Sequence, residues 1–95
     1  MLAIYKFINN GWFYQSYIKL SEAYLLLTVN YKKQPDVIEK INQLPTVKSV
    51  KTVYGIYDLL VVLESENLQE VKNDIDGNIY NIEGIENLTT LISVS

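Results

Sequence analysis

The apolar run Leu59-Leu60-Val61-Val62-Leu63, entered through Tyr54-Gly55-Ile56-Tyr57-Asp58, restricts the fold more than any other stretch of this chain. A β-branched pattern from Val47 to Val53 precedes it. Gly55 sits at the join, where two strands reversing direction need a residue tolerant of positive φ. In the strand after Asp58, Leu59, Val61 and Leu63 point to one face of the sheet and Leu60 and Val62 to the other. Both faces are apolar, so both must be covered. A chain of 95 residues has few elements to cover them with, and a partner subunit is the expected second cover.

The flanking sequence supplies the remaining elements. Ala23 to Asn30 reads as a strand and Tyr31-Lys32-Lys33 as a polar connection. Pro35 suits the first position of a helix. Val37, Ile38, Ile41 and Leu44 then share one helical face until Pro45 ends it. Thr46 to Tyr54 is the next strand, with Lys48 and Lys51 solvated. Ser65 is placed to cap a second helix, with Glu66 complementing its dipole. Leu68, Val71, Ile75, Ile79 and Ile82 hold one face through about four turns. Gly77 interrupts that helix at a cost of about 1 kcal/mol relative to alanine, which marks either close packing or a tolerated flaw. Gly84 fits the position past the helix end, and Ile85 to Val94 makes the last strand.

Displacing the chain by 38 residues aligns Val37 with Ile75, Ile41 with Ile79, Leu44 with Ile82, Val47 with Ile85 and Val50 with Leu88. Two β-α-β units in tandem predict an α+β, ferredoxin-like βαββαβ domain: a four-stranded antiparallel sheet with both helices on one face. The other face is then bare. Pairing two such faces would bury several hundred Å² on each copy, the scale of a standard interface, and monomers are not expected to persist.

Residues 1–22 differ from the rest and carry six of the eleven aromatics: Tyr5, Phe7, Trp12, Phe13, Tyr14 and Tyr17. Leu2 to Ile8 and Trp12 to Leu20 predict a hairpin around a three-residue turn, Asn9-Asn10-Gly11, with the glycine available for a left-handed conformation. This segment is read either as an arm that docks on a neighbouring subunit or as a strand pair extending the sheet, with 23–95 as the domain proper.

Several function classes are disfavoured. Neither cysteine nor histidine is present, which removes disulfides, the usual nucleophile–base pairs and zinc sites, and makes the reducing cytoplasm the expected compartment. The net charge is −3 and all eight basic residues are lysine. Without arginine or a basic cluster, direct nucleic-acid binding is not expected. No apolar run is long enough for a membrane span, and the N-terminus has neither the charged leader nor the continuous apolar core of a signal peptide. Asp74 and Asp76 are too sparse for a calcium loop. No metal, cofactor or catalytic constellation is expected, and Glu64, Glu66 and Glu70 read as a solvated face.

Gly55-Ile56-Tyr57-Asp58, between two β-runs, resembles the Gly-x-Tyr-Asp sequence of the effector-binding RAM domain (regulation of amino acid metabolism) of Lrp/AsnC-type transcription regulators. The resemblance runs from Ala23 to Ser95, about three quarters of the chain. Residues 1–22 are too few for the helix-turn-helix domain that precedes RAM domains in those regulators, so a stand-alone form is expected. The resemblance implies a non-enzymatic module that senses a free amino acid or similar metabolite through ligand-dependent assembly. Its implied partners are a second copy, a ring of dimers and full-length Lrp/AsnC regulators. The effector site it implies is Tyr54, Gly55, Tyr57, Asp58 and Thr90. Asp58 would take the ligand's ammonium, the open backbone at Gly55 its carboxylate, and Tyr57 would offer a ring and a hydroxyl. The family's two threonines, one residue apart, correspond here to Leu88 and Thr90, so one polar contact is replaced by an apolar one. Leu26, Leu60 and Val62 fall on the dimer interface. The blander reading has Asp58 bonding turn amides, Tyr57 filling the interface and Thr90 as an ordinary strand residue. A small dimeric α+β-barrel enzyme, an ACT-like amino-acid-binding domain and a purely structural oligomer remain as rival functions.

Overall fold

The computed structural model describes the backbone of residues 2–18 and 20–94, and side chains of 9–11 and 20–93. The strands are β1 (Leu2–Ile8), β2 (Gly11–Ile18), β3 (Ser21–Val29), β4 (Val47–Thr52), β5 (Leu59–Ser65) and β6 (Ile85–Val94); the helices are α1 (Gln34–Asn42) and α2 (Leu68–Asn73). β1 and β2 pair only with each other, whereas the other four form one antiparallel sheet in the order β4-β5-β3-β6. This is the α+β, ferredoxin-like architecture expected from the duplicated pattern, with the first strand of each half at the centre.

Side-chain alternation decides the two faces. Ala23, Leu25, Leu27 and Val29 of β3 are buried beside Leu59, Val61 and Leu63 of β5, and Val37, Ile41, Val71, Ile75 and Ile79 cover them. Leu60 and Val62 project to the opposite face with Tyr24 and Leu26, their cross-strand partners. All four are only half-buried, because no helix lies over them.

The duplication extends to an irregularity. Val47 and Val50 both pack against the core although they are three residues apart; a register shift between Val47 and Ser49 reverses the alternation. Ile85 and Leu88 do the same on the last strand, through a shift where Thr28 and Val29 of β3 face Asn87 and Ile85. The two bulges occupy equivalent positions in the 38-residue repeat.

The first helix follows its sequence signals. A 3₁₀ turn, Tyr31–Lys33, leads in, capped by Asn30, whose side chain accepts from the Lys32 amide. Pro35 stands in the first turn of α1. Gly84 has φ +108, and a Cβ there would lie 2.6 Å from the Lys33 Cβ, so this glycine also permits close packing.

The second helix departs from expectation. It is regular only to Asn73, continues as a π-helical turn over Asp74–Asn78 and ends in a 3₁₀ turn over Ile79–Asn81. The cause is a long-range tether. The buried Asp74 carboxylate accepts from the Thr46 amide at 3.0 Å and the Thr46 hydroxyl at 2.6 Å, and its second oxygen accepts from Asn78 Nδ2 at 3.1 Å. Widening the turn keeps Val71, Ile75 and Ile79 on the core while Asp74 reaches the α1–β4 connection. Gly77 is exposed with nothing within 4 Å of its missing Cβ, so it does not mark close packing. The N-cap is Asn67, which accepts from Gln69. Ser65 instead ends β5, accepting from the Asn67 amide and donating to Glu70.

The N-terminal hairpin forms around a tighter turn than predicted. Ile8 pairs with Gly11, and Asn9 (φ 51) and Asn10 (φ 66) make a two-residue reversal. Asparagine tolerates the left-handed conformation that both central positions of such a turn require. The side chains of the proposed aromatic arm lie outside the described residues.

Candidate ligand site at the end of the open sheet face

The β4–β5 connection, residues 53–58, places the Gly-x-Tyr-Asp residues at one end of the sheet. Gly55 has φ +135, a value that strains any L side chain, and nothing lies within 4 Å of its absent Cβ. The Gly55 and Ile56 amides have no hydrogen-bond partner among the described residues. Tyr54 is 99% and Ile56 86% exposed, so both project from the loop into solvent.

Asp58 closes the end of the ladder. The last β3–β5 pair is Leu27 with Leu59. Beyond it the Asp58 amide donates to the Leu27 carbonyl at 2.8 Å, its carbonyl accepts from Val53 at 3.0 Å, and its Oδ2 accepts from the Val29 amide at 2.9 Å. The side chain therefore satisfies an amide that the partner strand no longer reaches. Its other oxygen, Oδ1, accepts from no donor among the described residues. The Asp58 side chain thus accepts from a single amide, at the end of β3 and not in the turn, and still has acceptor capacity left.

Tyr57 lies across the open face. Its hydroxyl is 3.3 Å from Thr89 Oγ1 on β6, although β3 separates β5 from β6. Thr89 stands opposite Leu26 on the open face, whereas Thr90 stands opposite the fully buried Leu25 on the helix-covered face. Gly55, Tyr57 and Asp58 are therefore brought together, while Tyr54 points away and Thr90 is turned to the other layer. Three residues outside the expected set join the cluster instead. Thr89 meets Tyr57, and Asn87 Nδ2 donates to Thr28 Oγ1 at 3.0 Å in the neighbouring cross-strand pair. Only the β3–β6 register, with its bulge, shows that Thr28, Asn87 and Thr89 share this face.

The arrangement offers a carboxylate oxygen, unpaired backbone amides and hydroxyls at the rim of an apolar surface, with Leu26, Leu60 and Val62 forming the adjoining floor. These groups suit a small zwitterion: an anion for an ammonium, N–H groups for a carboxylate and an apolar wall for a side chain. An open groove of about 540 Å³ lies elsewhere, lined by Tyr31, Lys32, Gln34, Pro35 and Ile38, and contains none of these residues. Among the described residues no three metal-ligating side chains gather, and no helix is long and apolar enough to cross a membrane.

Two helices on one side of a β4-β5-β3-β6 sheet, with the opposite side uncovered, place the protein in the class of ferredoxin-like α+β domains. The chain belongs to the Lrp/AsnC ligand binding domain family, whose profile matches residues 22–95. It is 31% identical over 70 residues to FL11, an HTH-type transcriptional regulator of Pyrococcus furiosus, a match covering 74% of this chain and 46% of that protein. The chain thus spans a little under half the length of this relative. The fold is similar to that of the hypothetical protein PHS023 from Pyrococcus horikoshii, with TM-score 0.73 and 31% identity over 79% of this chain and 90% of that one. It is also similar in fold to the transcriptional regulator NMB0573 of Neisseria meningitidis, solved as a complex with L-Met (TM-score 0.68, 12% identity, 79% of this chain and 50% of that one).

Proposed function

We propose that residues 23–95 sense a small amino-acid-like effector and transmit its presence through assembly, with residues 1–22 as an appended arm. In this reading the protein is not an enzyme. It works in the cytoplasm as a dimer and a ring of dimers, alone or with full-length Lrp/AsnC regulators. Leu26, Leu60 and Val62 belong to the dimer interface, and the effector is held by Gly55, Tyr57 and Asp58, with the exposed Tyr54 at the rim and Thr89, on the open face, in the role expected of Thr90. A ligand touching two dimers favours the assembled state by its differential affinity for that state. The observation that carries this reading is that, among the described residues, Asp58 Oδ1 and the Gly55 and Ile56 amides of the same β4–β5 connection have no hydrogen-bond partner, in a chain matched to the family over residues 22–95. The complex of NMB0573 with L-Met supports an amino acid as the kind of ligand.

Asp58→Asn separates binding from structure. The amide oxygen still accepts from Val29, so the fold should hold, while the anion is lost. A charge-assisted hydrogen bond contributes about 1.5–3 kcal/mol, so affinity for a bound amino acid should fall about 10- to 100-fold. Thermal shift and native mass spectrometry against the free amino acids would read both effects. A ligand shift that survives this substitution would remove Asp58 from the site, and the absence of any shift with the unmodified protein would leave a structural oligomer as the better reading.

A further inference from the structure

The N-terminal hairpin stands apart from the rest of the molecule. The protein measures 61 × 25 × 19 Å, and its radius of gyration is 17.0 Å, against about 12–13 Å for a compact chain of this length. At about 3.4 Å per residue, the nine residues of β3 and the eight of β2 together span about 58 Å. The long axis is therefore that of the two strands laid nearly end to end. β1 and β2 pair only with each other, and the family profile begins only at residue 22. A two-stranded hairpin without a covering layer is marginally stable in water.

The register sorts the hairpin's residues by face. Tyr5 pairs with Tyr14, and Phe7 with Trp12. Cross-strand partners share a face, as do residues two apart on one strand, so these four aromatic positions adjoin on one face. Lys6, opposite Phe13, falls on the other face and is the only charged residue in either strand.

We propose that the hairpin is an assembly arm whose Tyr5, Phe7, Trp12 and Tyr14 face packs on the same face of the hairpin of a second copy. An aromatic side chain buries about 150–250 Å², so four on each copy account for about 1,200–2,000 Å² in the pair, the size of a stable specific interface. With no charge on the face, bringing it against its own copy sets no like charges together. Two stacked hairpins make a four-stranded, two-layer unit with a dry aromatic centre, which a lone hairpin lacks. Nucleic acid and anionic membrane are disfavoured, because a single lysine in the two strands provides no cationic track for phosphate. The sheet's open face is a separate surface, so this contact neither needs nor replaces the reading of that face as a dimer interface.

Trp12 is the only tryptophan in the chain, so its fluorescence reports on this face alone. Diluting the protein should move the emission to the red and raise its quenching by acrylamide, in step with dissociation seen by native mass spectrometry. Phe7→Lys should weaken that association about tenfold or more, whereas Gln15→Lys, at a register position on the opposite face, should leave it unchanged. Phe7→Leu, which keeps an apolar side chain, serves as the milder variant if Phe7→Lys unpairs the hairpin, and it should weaken association less. Leu60→Asp burdens the sheet's open face instead. The Trp12 shift on dilution should survive that substitution and disappear when Phe7→Lys is added to it. An emission that stays constant while the assembly dissociates would overturn the proposal, as would equal losses from Phe7→Lys and Gln15→Lys. A Trp12 response to anionic vesicles or to a single-stranded oligonucleotide, with none on dilution, would assign the face to that partner and overturn it too.

Discussion

The two faces of the sheet are built from alternate residues of the same strands, yet they are in different conditions. On one face Leu25, Leu27, Leu59, Val61 and Leu63 are fully buried beneath two helices, and no buried side-chain polar atom among the described residues lacks a partner. On the other, Tyr24, Leu26, Leu60 and Val62 are half-exposed, Leu91 is 58% exposed, and the surrounding charges are unevenly matched. The covered face is completed within one chain, whereas no helix lies over Leu26, Leu60 and Val62 on the open face. Neighbouring leucines make the contrast measurable. Leu25→Ala should cost about 2–5 kcal/mol of domain stability, because a fully buried side chain leaves a cavity. Leu26→Ala should change monomer stability by about 1 kcal/mol or less, because part of its surface is already wet and no helix packs on it, and on the proposed reading should act on association instead. Denaturant melts at low concentration paired with dimer dissociation constants would separate the effects. A Leu26→Ala loss as large as that of Leu25→Ala, with unchanged association, would erase the distinction.

The covered face contains its own test in Asp74. That carboxylate is buried and takes three hydrogen bonds across the α1–β4 connection and its own π-helical turn. Asp74→Ala leaves the Thr46 amide and hydroxyl without their acceptor, so it should cost about 2 kcal/mol, within the range for unsatisfied buried groups. The wide turn over Asp74–Asn78 should lose hydrogen-exchange protection at the same time. Association should be untouched. If Asp74→Ala weakened the dimer as much as Leu60→Asp, the two faces would not be separable as described.

What was legible in the sequence was mostly what alternation and backbone chemistry decide. The two-sided strand Leu59 to Leu63, the glycine at the reversal, the proline opening α1 and the duplicated β-α-β pattern each have local causes, and the sheet follows from them. The losses came where a distant partner decides. Nothing in the spacing of Val71, Ile75 and Ile79 shows that Asp74 is tied to Thr46, which is 28 residues away, so a continuous helix was the natural reading. The site suffered in the same way. Position along the motif points to Thr90, but which threonine faces Tyr57 depends on the pairing of Leu26 with Thr89 and on a bulge near the start of β6. The repeated apolar spacing of Val47 and Val50 with Ile85 and Leu88 was visible, and three-residue steps in a strand are a signal for such a bulge.

The smallest expected effect concerns an ion pair outside both faces. Lys33 Nζ donates to Glu83 Oε1 at 2.8 Å, with both side chains well exposed. The hydrogen bond, and then the charge of Lys33, hold the Glu83 carboxyl below its ordinary range. The same bond raises the Lys33 ammonium above its own. A lowered carboxyl stabilises the fold above its ordinary pKa, and that contribution is lost as pH falls through the lowered value. A raised ammonium stabilises below its ordinary pKa, and the contribution is lost as pH rises through the raised value. Glu83→Gln should therefore lower the melting temperature slightly between those limits, and the gap should close in acid, in strong base and on adding salt. Melting curves of the two proteins across the titration would show it. A gap that persists in acid would mean that Glu83 acts by packing near Gly84 and not by charge. A change in dimer strength would mean that charges away from the open face also govern assembly.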